Sequence, residues 1–379
     1  MNALPIGEII EFRKELHKNP ELSGKESGTA ERVIAFIERY HPDQILKGLG
    51  GDGVAVVYEG NEAGSTILIR CELDALPIQE INDFAYKSEI DGVSHKCGHD
   101  GHMAIVSGLA PLLHQKPLKK GRVILMFQPA EETGEGAKRV IKDARFESIK
   151  PDYAFSLHNL PKYPKGKVLF RSGTFNAASK GMKVLIKGRT AHAAEPENGL
   201  NPAIAVSHII QELLALPQKE LFKDFVLITL THVQIGEKAF GVSAGDAEIL
   251  ATLRAYRDDD MQMLSNEALK MIEENLKDTN LTSEVSWHEA FPASVNHKAE
   301  TELIKKVAQK NGFGFEELKE PIRWSEDFAY FTAQAKGAMF GLGSGELTPH
   351  LHNPDYDFPD DIIETGITMF YDIICELLD

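Results

Sequence analysis

The sequence predicts an α/β protein with a mixed sheet and flanking helices in a larger domain, and a smaller α+β domain inserted into it. Short β-branched runs alternate with amphipathic stretches along the first part of the chain, which favours a sheet with much parallel character. A middle stretch combines two helical patterns with several strand patterns in roughly a hundred residues, which is typical of a compact α+β unit. Helix–strand alternation then returns. We therefore expect a larger domain of residues 1–178 and 290–379, interrupted by a smaller domain of residues 179–289.

The elements of the larger domain follow from hydrophobic periodicity. Apolar residues recur at helical spacing over Ile6–Lys18 and again over Ser27–Tyr40, where Ser27 is a candidate N-cap. The continuous apolar run Arg122–Phe127 predicts a strand that is buried on both faces. A glycine-rich turn precedes a predicted buried helix over Cys97–Leu113. The other elements expected in this domain are the strands Gly53–Tyr58, Ser65–Arg70, Ala154–Leu157 and Ala338–Leu342 and the helix Glu300–Asn311.

The inserted domain has patterns of its own. Strands are predicted over Gly181–Gly188, Phe225–Val233 and Ala247–Tyr256. Helices are predicted over Asn201–Leu216, which Pro217 ends, and over Met261–Leu276. Two helices on a small sheet would make a compact α+β unit.

Composition excludes several classes of protein. Hydrophobic residues make up 42% and charged residues 26% of the 379 residues, so the chain can bury a large core and is not a disordered or fibrous protein. The formal net charge is -16, from 41 Lys and Arg against 57 Asp and Glu. A polyanion would be repelled on average, so nucleic acid is not an expected partner.

Cysteine usage and the N-terminal segment point to a cellular location. The odd, sparse set Cys71, Cys97 and Cys375 fits a reducing compartment better than a disulfide framework. Met1–Glu8 lacks the basic and then apolar segments of a signal peptide. No uninterrupted apolar run approaches the ~18 residues that span a bilayer. We expect a soluble cytoplasmic protein without membrane association.

The densest group of metal-binding residue types is the segment His95-Lys96-Cys97-Gly98-His99-Asp100-Gly101-His102. Thiolate and neutral imidazole together suit Zn²⁺ and other first-row divalent ions. Cys97 and His99 lie two residues apart, so in an extended turn both could face one ion, and they are stronger candidates than His95 and His102. The alternative is a polar surface turn without a metal.

Acidic residues follow two predicted buried strands. In Gln128–Glu132, one carboxylate of the adjacent pair can ligate a metal while the other acts as general base, although acidic pairs are usually a solvated face. In Arg70–Pro77, Glu72 and Asp74 are candidate acceptors for the ring N–H of a ligating histidine. For Glu72 and for Asp74, a simple charged strand exit is an equal alternative.

Isolated histidines complete the candidate set. His158 closes the apolar run Phe155–Asn159, and His352 lies in His350–Pro354 near the C-terminus. A lone histidine at a strand end is more often structural than a ligand, but two of them from distant segments complete a plausible ligand set. His192 of the inserted domain, flanked by small residues, could enter a site from outside the larger domain.

These segments occur in the order expected of the M20 metallopeptidase/amidohydrolase family, and the chain resembles most its amidohydrolase branch. That branch includes N-acyl-amino-acid hydrolases, hippurate hydrolases, N-acetyl-diaminopimelate deacetylases and plant auxin-conjugate hydrolases. The likeness begins at Leu16–Ser23 and spans nearly the whole chain. The other segments that carry it are Arg70–Pro77, Cys97–Asp100, Gln128–Glu132, Leu157–His158, Ala191–Ala193, Ser325–Phe328 and Leu351–Pro354.

The resemblance implies a metal site and a different role for each domain. The larger domain would hold a divalent metal centre, and the inserted domain would act as a lid and often as a dimer surface. The implied metal ligands are Cys97, His99, Glu132, His158 and His352. Glu131 would be the general base and His192 would stabilise the oxyanion. Asp74, Asp100 and Arg254 are further candidates for ligand support or substrate contact, although Arg254 could equally be a surface arginine.

The implied function is metal-dependent hydrolysis of the amide bond of a small N-acyl amino acid. The cofactor would be one or two divalent ions per subunit, with Mn, Zn, Co and Ni all compatible, and the protein would form a homodimer or higher oligomer through the lid. An M20-type dipeptidase or carboxypeptidase is the alternative, and a metal-dependent binding or storage protein without turnover is a third hypothesis. The Cys-Gly-His-Asp motif favours the amidohydrolase over the peptidase, because peptidase branches more often carry Asp-based ligands.

Two residues and one segment depart from the family pattern. Glu72 stands where the family usually has Asp, and Cys71 where Ala is common; we expect Cys71 to be a buried thiol. The lid segment that usually reads Asn-Val-Ile-Pro is Gly241-Val242-Ser243-Ala244 here, which leaves the substrate class open.

Overall fold

The computed structural model describes residues 4–378; residues 1–3, within the segment tested for a signal peptide, and residue 379 lie outside the described part. The helices are α1 Ile6–Lys18, α2 Ser27–Glu38, α3 His99–Ser107, α4 Leu109–Gln115, α5 Gly136–Lys142, α6 Ala203–Ala215, α7 Asp258–Leu276, α8 Lys298–Lys310, α9 Ala329–Thr332 and α10 Ile363–Leu378. The strands are β1 Gln44–Leu49, β2 Gly53–Glu59, β3 Glu62–Glu72, β4 Lys120–Gln128, β5 Tyr153–Pro161, β6 Val168–Phe170, β7 Gly173–Asn176, β8 Ala178–Lys187, β9 Ala191–His192, β10 Val226–Ile235, β11 Val242–Ser243, β12 Asp246–Ala255, β13 Thr282–Phe291, β14 Ser294–Asn296, β15 Phe315–Glu317 and β16 Lys336–Gly345.

The chain divides into two compact units. The larger unit comprises the residues up to 175, residues 294–320 and the residues from 327 onward. The smaller unit comprises residues 176–293 and 321–326. Residues 321–326, which follow β15, therefore belong to the smaller unit although the rest of that unit ends at residue 293.

The larger unit is built on a mixed sheet of eight strands in the order β1-β2-β4-β3-β5-β16-β6-β15. Strand β3 runs parallel to both β4 and β5, and β5 runs parallel to β16. Glu72 at the end of β3 is in register with Gln128 at the end of β4. The carboxyl ends of these strands therefore meet at one edge, where α/β sheets commonly form ligand sites.

Both faces of this sheet are covered. Val56, Ile69 and Leu125 pack in one apolar cluster with residues of α1, α2, α3, α4, α8 and α10. Leu68 and Met126 point to the opposite face and are also fully buried. Burial on both faces explains why these strands have continuous apolar runs rather than alternating ones.

The smaller unit is an α+β unit with a four-stranded antiparallel sheet in the order β10-β12-β8-β13. Burial alternates along β12, as expected for a strand with one covered face. Residues of α6 and α7 form the apolar cluster with that face. The predicted fold class, with its inserted α+β domain, is confirmed.

One cap prediction is wrong. The residue before α2 is Glu26 rather than Ser27, and its side chain makes no capping hydrogen bond. The carboxylate of Glu21 instead accepts the N–H groups of Gly28 and Thr29 at 3.3 and 2.6 Å. A residue outside the helix thus satisfies the first free donors of α2.

The predicted helix over Cys97–Leu113 is interrupted. Helix α3 begins only at His99 and ends at Ser107, and α4 follows Gly108. Pro111 has no N–H to donate to Ser107, which explains the break. Among the helices of the described chain, none has the length and apolarity needed to cross a membrane.

Candidate metal centre

The candidate ligands lie at the carboxyl edge of the large sheet, all within the larger unit. Cys97 lies just before α3, and the backbone of Gly98 between it and His99 has a φ of 89°. A Cβ at Gly98 would lie 2.5 Å from Nδ2 of Asn159, so this turn requires glycine. The same Nδ2 donates to the carbonyl oxygen of Cys97 at 2.7 Å, which fixes the thiol-bearing residue against β5.

The five side chains expected as metal ligands are brought together. The Sγ of Cys97 is 3.5 Å from Nε2 of His158. Glu132 lies between two imidazoles, with Oε1 at 3.9 Å from Nε2 of His99 and Oε2 at 3.8 Å from Nε2 of His352. Ligands about 2.0–2.3 Å from one tetrahedral ion are separated from each other by roughly 3.3–3.8 Å. The observed separations are close to that range.

Hydrogen bonds orient two of these imidazoles. Nδ1 of His99 donates to the carbonyl oxygen of Asp74 at 2.9 Å, with Oδ1 of the same residue at 3.5 Å. Nδ1 of His158 donates to the carbonyl oxygen of Asn159 at 2.9 Å. In both rings Nδ1 is engaged, so Nε2 is the ring nitrogen that remains to bind a metal.

The fit of a cation can be tested on the polar atoms of the cluster. Nε2 of His99 and Oε1 of Glu132 are buried and have no hydrogen-bond partner among the described residues. Buried polar atoms are normally paired. A divalent ion bound by thiolate, imidazole and carboxylate would satisfy both, so the residues present fit such an ion.

The charges around the cluster favour a bound cation. Burial raises the pKa of Glu132 to about 7, with His99 opposing the shift. Burial, together with the carboxylates of Glu132 and Glu131, raises the pKa of the Cys97 thiol well above its usual value. Burial lowers the pKa of His99, but the hydrogen bond to Asp74 and the nearby carboxylates outweigh it and raise the value to about 10. Without a metal these groups retain protons, and a divalent ion would replace them.

Glu131 and Glu132 project from the turn that follows β4. Ala130, directly before them, has a φ of 50°, a left-handed conformation that is uncommon for residues other than glycine. Glu131 is 5% exposed, and an oxygen of its carboxylate lies within 4.8 Å of candidate ligand atoms of His99 and Glu132. The turn thus brings the carboxylate of Glu132, an expected ligand, to the cluster and places that of Glu131 beside it.

Two other residues of the first motif have hydrogen-bond partners outside the expected ligand set. Asp100 forms ion pairs with Arg13 at 3.0 Å and with His17 at 2.8 Å, on the side of α1. His102 donates from Nδ1 to Glu72 at 2.6 Å and accepts at Nε2 from Asn159, so neither nitrogen is available to an ion. These contacts occupy Oδ2 of Asp100 and both ring nitrogens of His102, although the His102 ring lies next to that of His158.

The two unusual residues after Arg70 are both fully buried. Cys71 belongs to the apolar core, where burial raises the pKa of its thiol well above the usual value. Glu72 is paired with Arg70 and with His102. The longer acidic side chain therefore takes part in a buried ionic network that adjoins His99.

The remaining candidates lie in the smaller unit. His192 is exposed and lies in β9, which pairs with Val242 and Ser243 of β11. Ala193 donates to the carbonyl oxygen of Gly241 at 3.0 Å, so the segment that departs from the family pattern contacts the His192 segment directly. Arg254 is partly buried and donates through Nη1 to the carbonyl oxygen of Arg323 and to Oγ of Ser325.

Sequence reasoning missed the side chains that hold the cluster in place. Asn159 was overlooked beside His158, although it supports both Cys97 and His102. Asp327 accepts from Arg70 at 2.6 Å and from Gln128 at 2.9 Å, all three fully buried. Its place in the Ser325–Phe328 segment was the only signal available.

Comparisons with known proteins confirm the resemblance that the motifs predicted. A family model described as "Peptidase family M20/M25/M40" matches residues 68–376. The protein YhaA of Bacillus subtilis (strain 168) is 32% identical over 370 residues, covering 95% of this chain and 92% of the relative. Thermostable carboxypeptidase 2 of Saccharolobus solfataricus is 30% identical, with 94% and 92% covered, and an N-acetyl-L-cysteine deacetylase of Bacillus subtilis is 31% identical, with 98% and 88% covered.

The fold has a close structural counterpart. The crystal structure of the Bacillus subtilis YXEP protein, a dinuclear metal binding peptidase from the M20 family, superposes with a TM-score of 0.84. It is 27% identical, and the match covers 98% of each chain.

Proposed function

The chain belongs to peptidase family M20/M25/M40, and on that premise we propose that it is a metal-dependent amidohydrolase that removes the acyl group from N-acyl amino acids. The observation that carries the proposal is the convergence of a thiol, three imidazoles and a carboxylate at one sheet edge, with Glu131 beside them. The relative named as an N-acetyl-L-cysteine deacetylase supports this substrate class.

Cys97, His99, Glu132, His158 and His352 are the proposed ligands of one or two divalent ions, with Mn, Zn, Co and Ni all compatible with this donor set. The dinuclear centre named for the YXEP protein supports a pair of ions. A divalent ion bound here supplies Lewis-acid polarisation of the scissile carbonyl and lowers the pKa of water to about 7.

Glu131 is the proposed general base. Its carboxylate would take the proton of the attacking water and later give it to the leaving amine, the two proton transfers that amide hydrolysis requires. The buried position of Glu131 excludes most competing water, which strengthens its interaction with the reacting proton.

Two residues of the smaller unit complete the proposal. His192 is the proposed hydrogen-bond donor to the tetrahedral oxyanion, a role that the family resemblance assigns, and the smaller unit would act as a lid. Arg254 is the proposed partner of the substrate carboxylate. It is a partly buried cation that, among the described residues, donates to a carbonyl and a hydroxyl and forms no ion pair with an acid.

A carboxypeptidase or dipeptidase is the second candidate function. The relative named as thermostable carboxypeptidase 2 favours it, and the same groups could hydrolyse a peptide bond, which is also an amide. A panel of N-acyl amino acids and dipeptides, assayed with protein stripped of metal and reloaded with each ion, separates the two. Higher kcat/KM for dipeptides would overturn the deacylase proposal.

The role of Glu131 is tested with Glu131→Gln. We expect turnover to fall by about 10²–10⁴-fold while metal content stays normal, because the amide cannot accept the proton. Glu135→Gln, a change of an exposed acid in the same turn, is the matched control and should leave turnover unchanged. Normal turnover in Glu131→Gln would exclude it as the base, and a wild-type protein that binds metal without hydrolysing any amide would favour a binding protein.

A further inference from the structure

The peptide N–H groups on both sides of Glu131 donate to carboxylates of other segments. Glu132 N donates to Oδ2 of Asp74 at 3.0 Å. Ala130 N donates to Oε1 of Glu26 at 2.7 Å, although Glu26 lies about a hundred residues earlier, directly before α2. The turn that presents Glu131 and Glu132 is therefore fixed from outside at two points.

The Ala130 peptide is the part of this turn that most needs support. Its φ of 50° is disfavoured for a residue with a Cβ, and such conformations persist only where the surroundings fix them. The same residue accepts at its carbonyl oxygen from Gly136 N at 3.0 Å. Because the next two side chains leave the backbone from this turn, a change in the Ala130 conformation would redirect both.

Glu26 does not cap the helix that follows it. It occupies the N-cap position of α2, yet its side chain makes no capping hydrogen bond there. The carboxylate of Glu21 caps the helix instead, by accepting the N–H groups of Gly28 and Thr29. A carboxylate that is fully buried is costly, and this one accepts a short hydrogen bond from the turn that carries Glu131.

We propose that Glu26 is a positioning residue whose carboxylate clamps the Ala130 peptide and so fixes the directions in which Glu131 and Glu132 reach the metal cluster. The inference rests on the proposed function, in which Glu132 is a ligand and Glu131 the base. It assigns to the segment before α2 a part in forming the centre.

The test compares Glu26→Ala with Glu26→Gln in the full chain. Metal affinity is measured by titrating chelator-treated protein with Mn²⁺ or Zn²⁺, and kcat is measured with the best N-acyl amino acid. We expect Glu26→Ala to lose about tenfold to hundredfold in metal affinity and in kcat, the usual effect of removing a residue that supports a metal site. Glu26→Gln should retain both, because its amide oxygen can accept the same N–H.

Glu21→Ala is the matched control. It removes the carboxylate that caps α2 and leaves the Ala130 contact intact, so it should lower thermal stability and leave metal affinity unchanged. Parallel losses in both variants would assign Glu26 a general structural role and overturn the proposal. Wild-type metal affinity and kcat in Glu26→Ala would overturn it as well.

A second pair of variants covers the case in which Glu26→Ala does not fold. Glu26→Asp withdraws the carboxylate by one methylene and should lose part of the metal affinity, and adding Ala130→Gly should restore part of it, since glycine adopts the left-handed conformation without a clamp. No loss in Glu26→Asp would refute the clamp. Metal titration needs no substrate. If the wild-type protein has no amidase activity, the proposed function is refuted, and the effect of Glu26 on metal affinity can still be measured.

Discussion

His17 allows a quantitative prediction about the support of the metal segment from α1. Its Nδ1 lies 2.8 Å from Oδ2 of Asp100, and its Nε2 lies 3.1 Å from Oε1 of Glu80. Burial lowers the pKa of His17, but the charge of Asp100 and the hydrogen bonds to both carboxylates outweigh it and raise the value to about 9. A pKa raised from 6.5 to about 9 corresponds to about 3 kcal/mol of stability.

The direction of the pH dependence follows from the linkage between protonation of His17 and folding. Because the folded pKa lies above the unfolded one, this stabilisation is fully present below the unfolded value of 6.5 and is lost as the pH rises through about 9. Replacing His17 with Gln removes it. The advantage of the wild type over His17→Gln should therefore be about 3 kcal/mol larger at about pH 6 than at about pH 9.5.

The free energies of unfolding of the wild type and of His17→Gln are measured in urea at the two pH values, after both proteins have been treated with chelator. Other titrating groups, including His99 and Glu132, are common to both proteins and cancel in the difference. If the free-energy advantage of the wild type is the same at both pH values, His17 is neutral in the folded protein. The ionic network assigned to α1 would then be incorrect.

Three further predictions concern the site and its support. Replacing Cys97 or His352 with Ala should lower metal content and activity together, as measured by metal analysis of the purified variants, and normal metal content in both would contradict the ligand set. His192→Ala should lower kcat by about 100–1000-fold with metal content retained, and an unchanged kcat would remove it from the mechanism. Arg70→Met should destabilise the protein in urea by about 3–5 kcal/mol, because two buried carboxylates lose their cation; a loss below about 1 kcal/mol would show that they are neutral there.

Local patterns predicted the elements well where burial is simple. Continuous apolar runs identified β4 and β5, because a strand covered on both faces has no polar positions to interrupt it. The cap of α2 was missed because Glu21 reaches the helix from outside it, which no residue spacing reveals. The break before α4 depends on the missing N–H of Pro111. A hydrophobic pattern does not show whether a backbone donor is absent.

The chemistry of the site was readable in the chain, since thiol, imidazole and carboxylate side chains define which ions can bind wherever the backbone carries them. The spacing and the resemblance favoured His99 over His102, but the sequence could not show which partners the two rings have. His99 and His102 belong to one motif, but only the folded arrangement pairs His102 with Glu72 and Asn159 and leaves Nε2 of His99 without a partner. The contact between Glu26 and Ala130 likewise joins segments far apart in sequence. Ligand identity is a property of residue type, whereas orientation and pairing arise only when parallel strands bring distant segments to a shared edge.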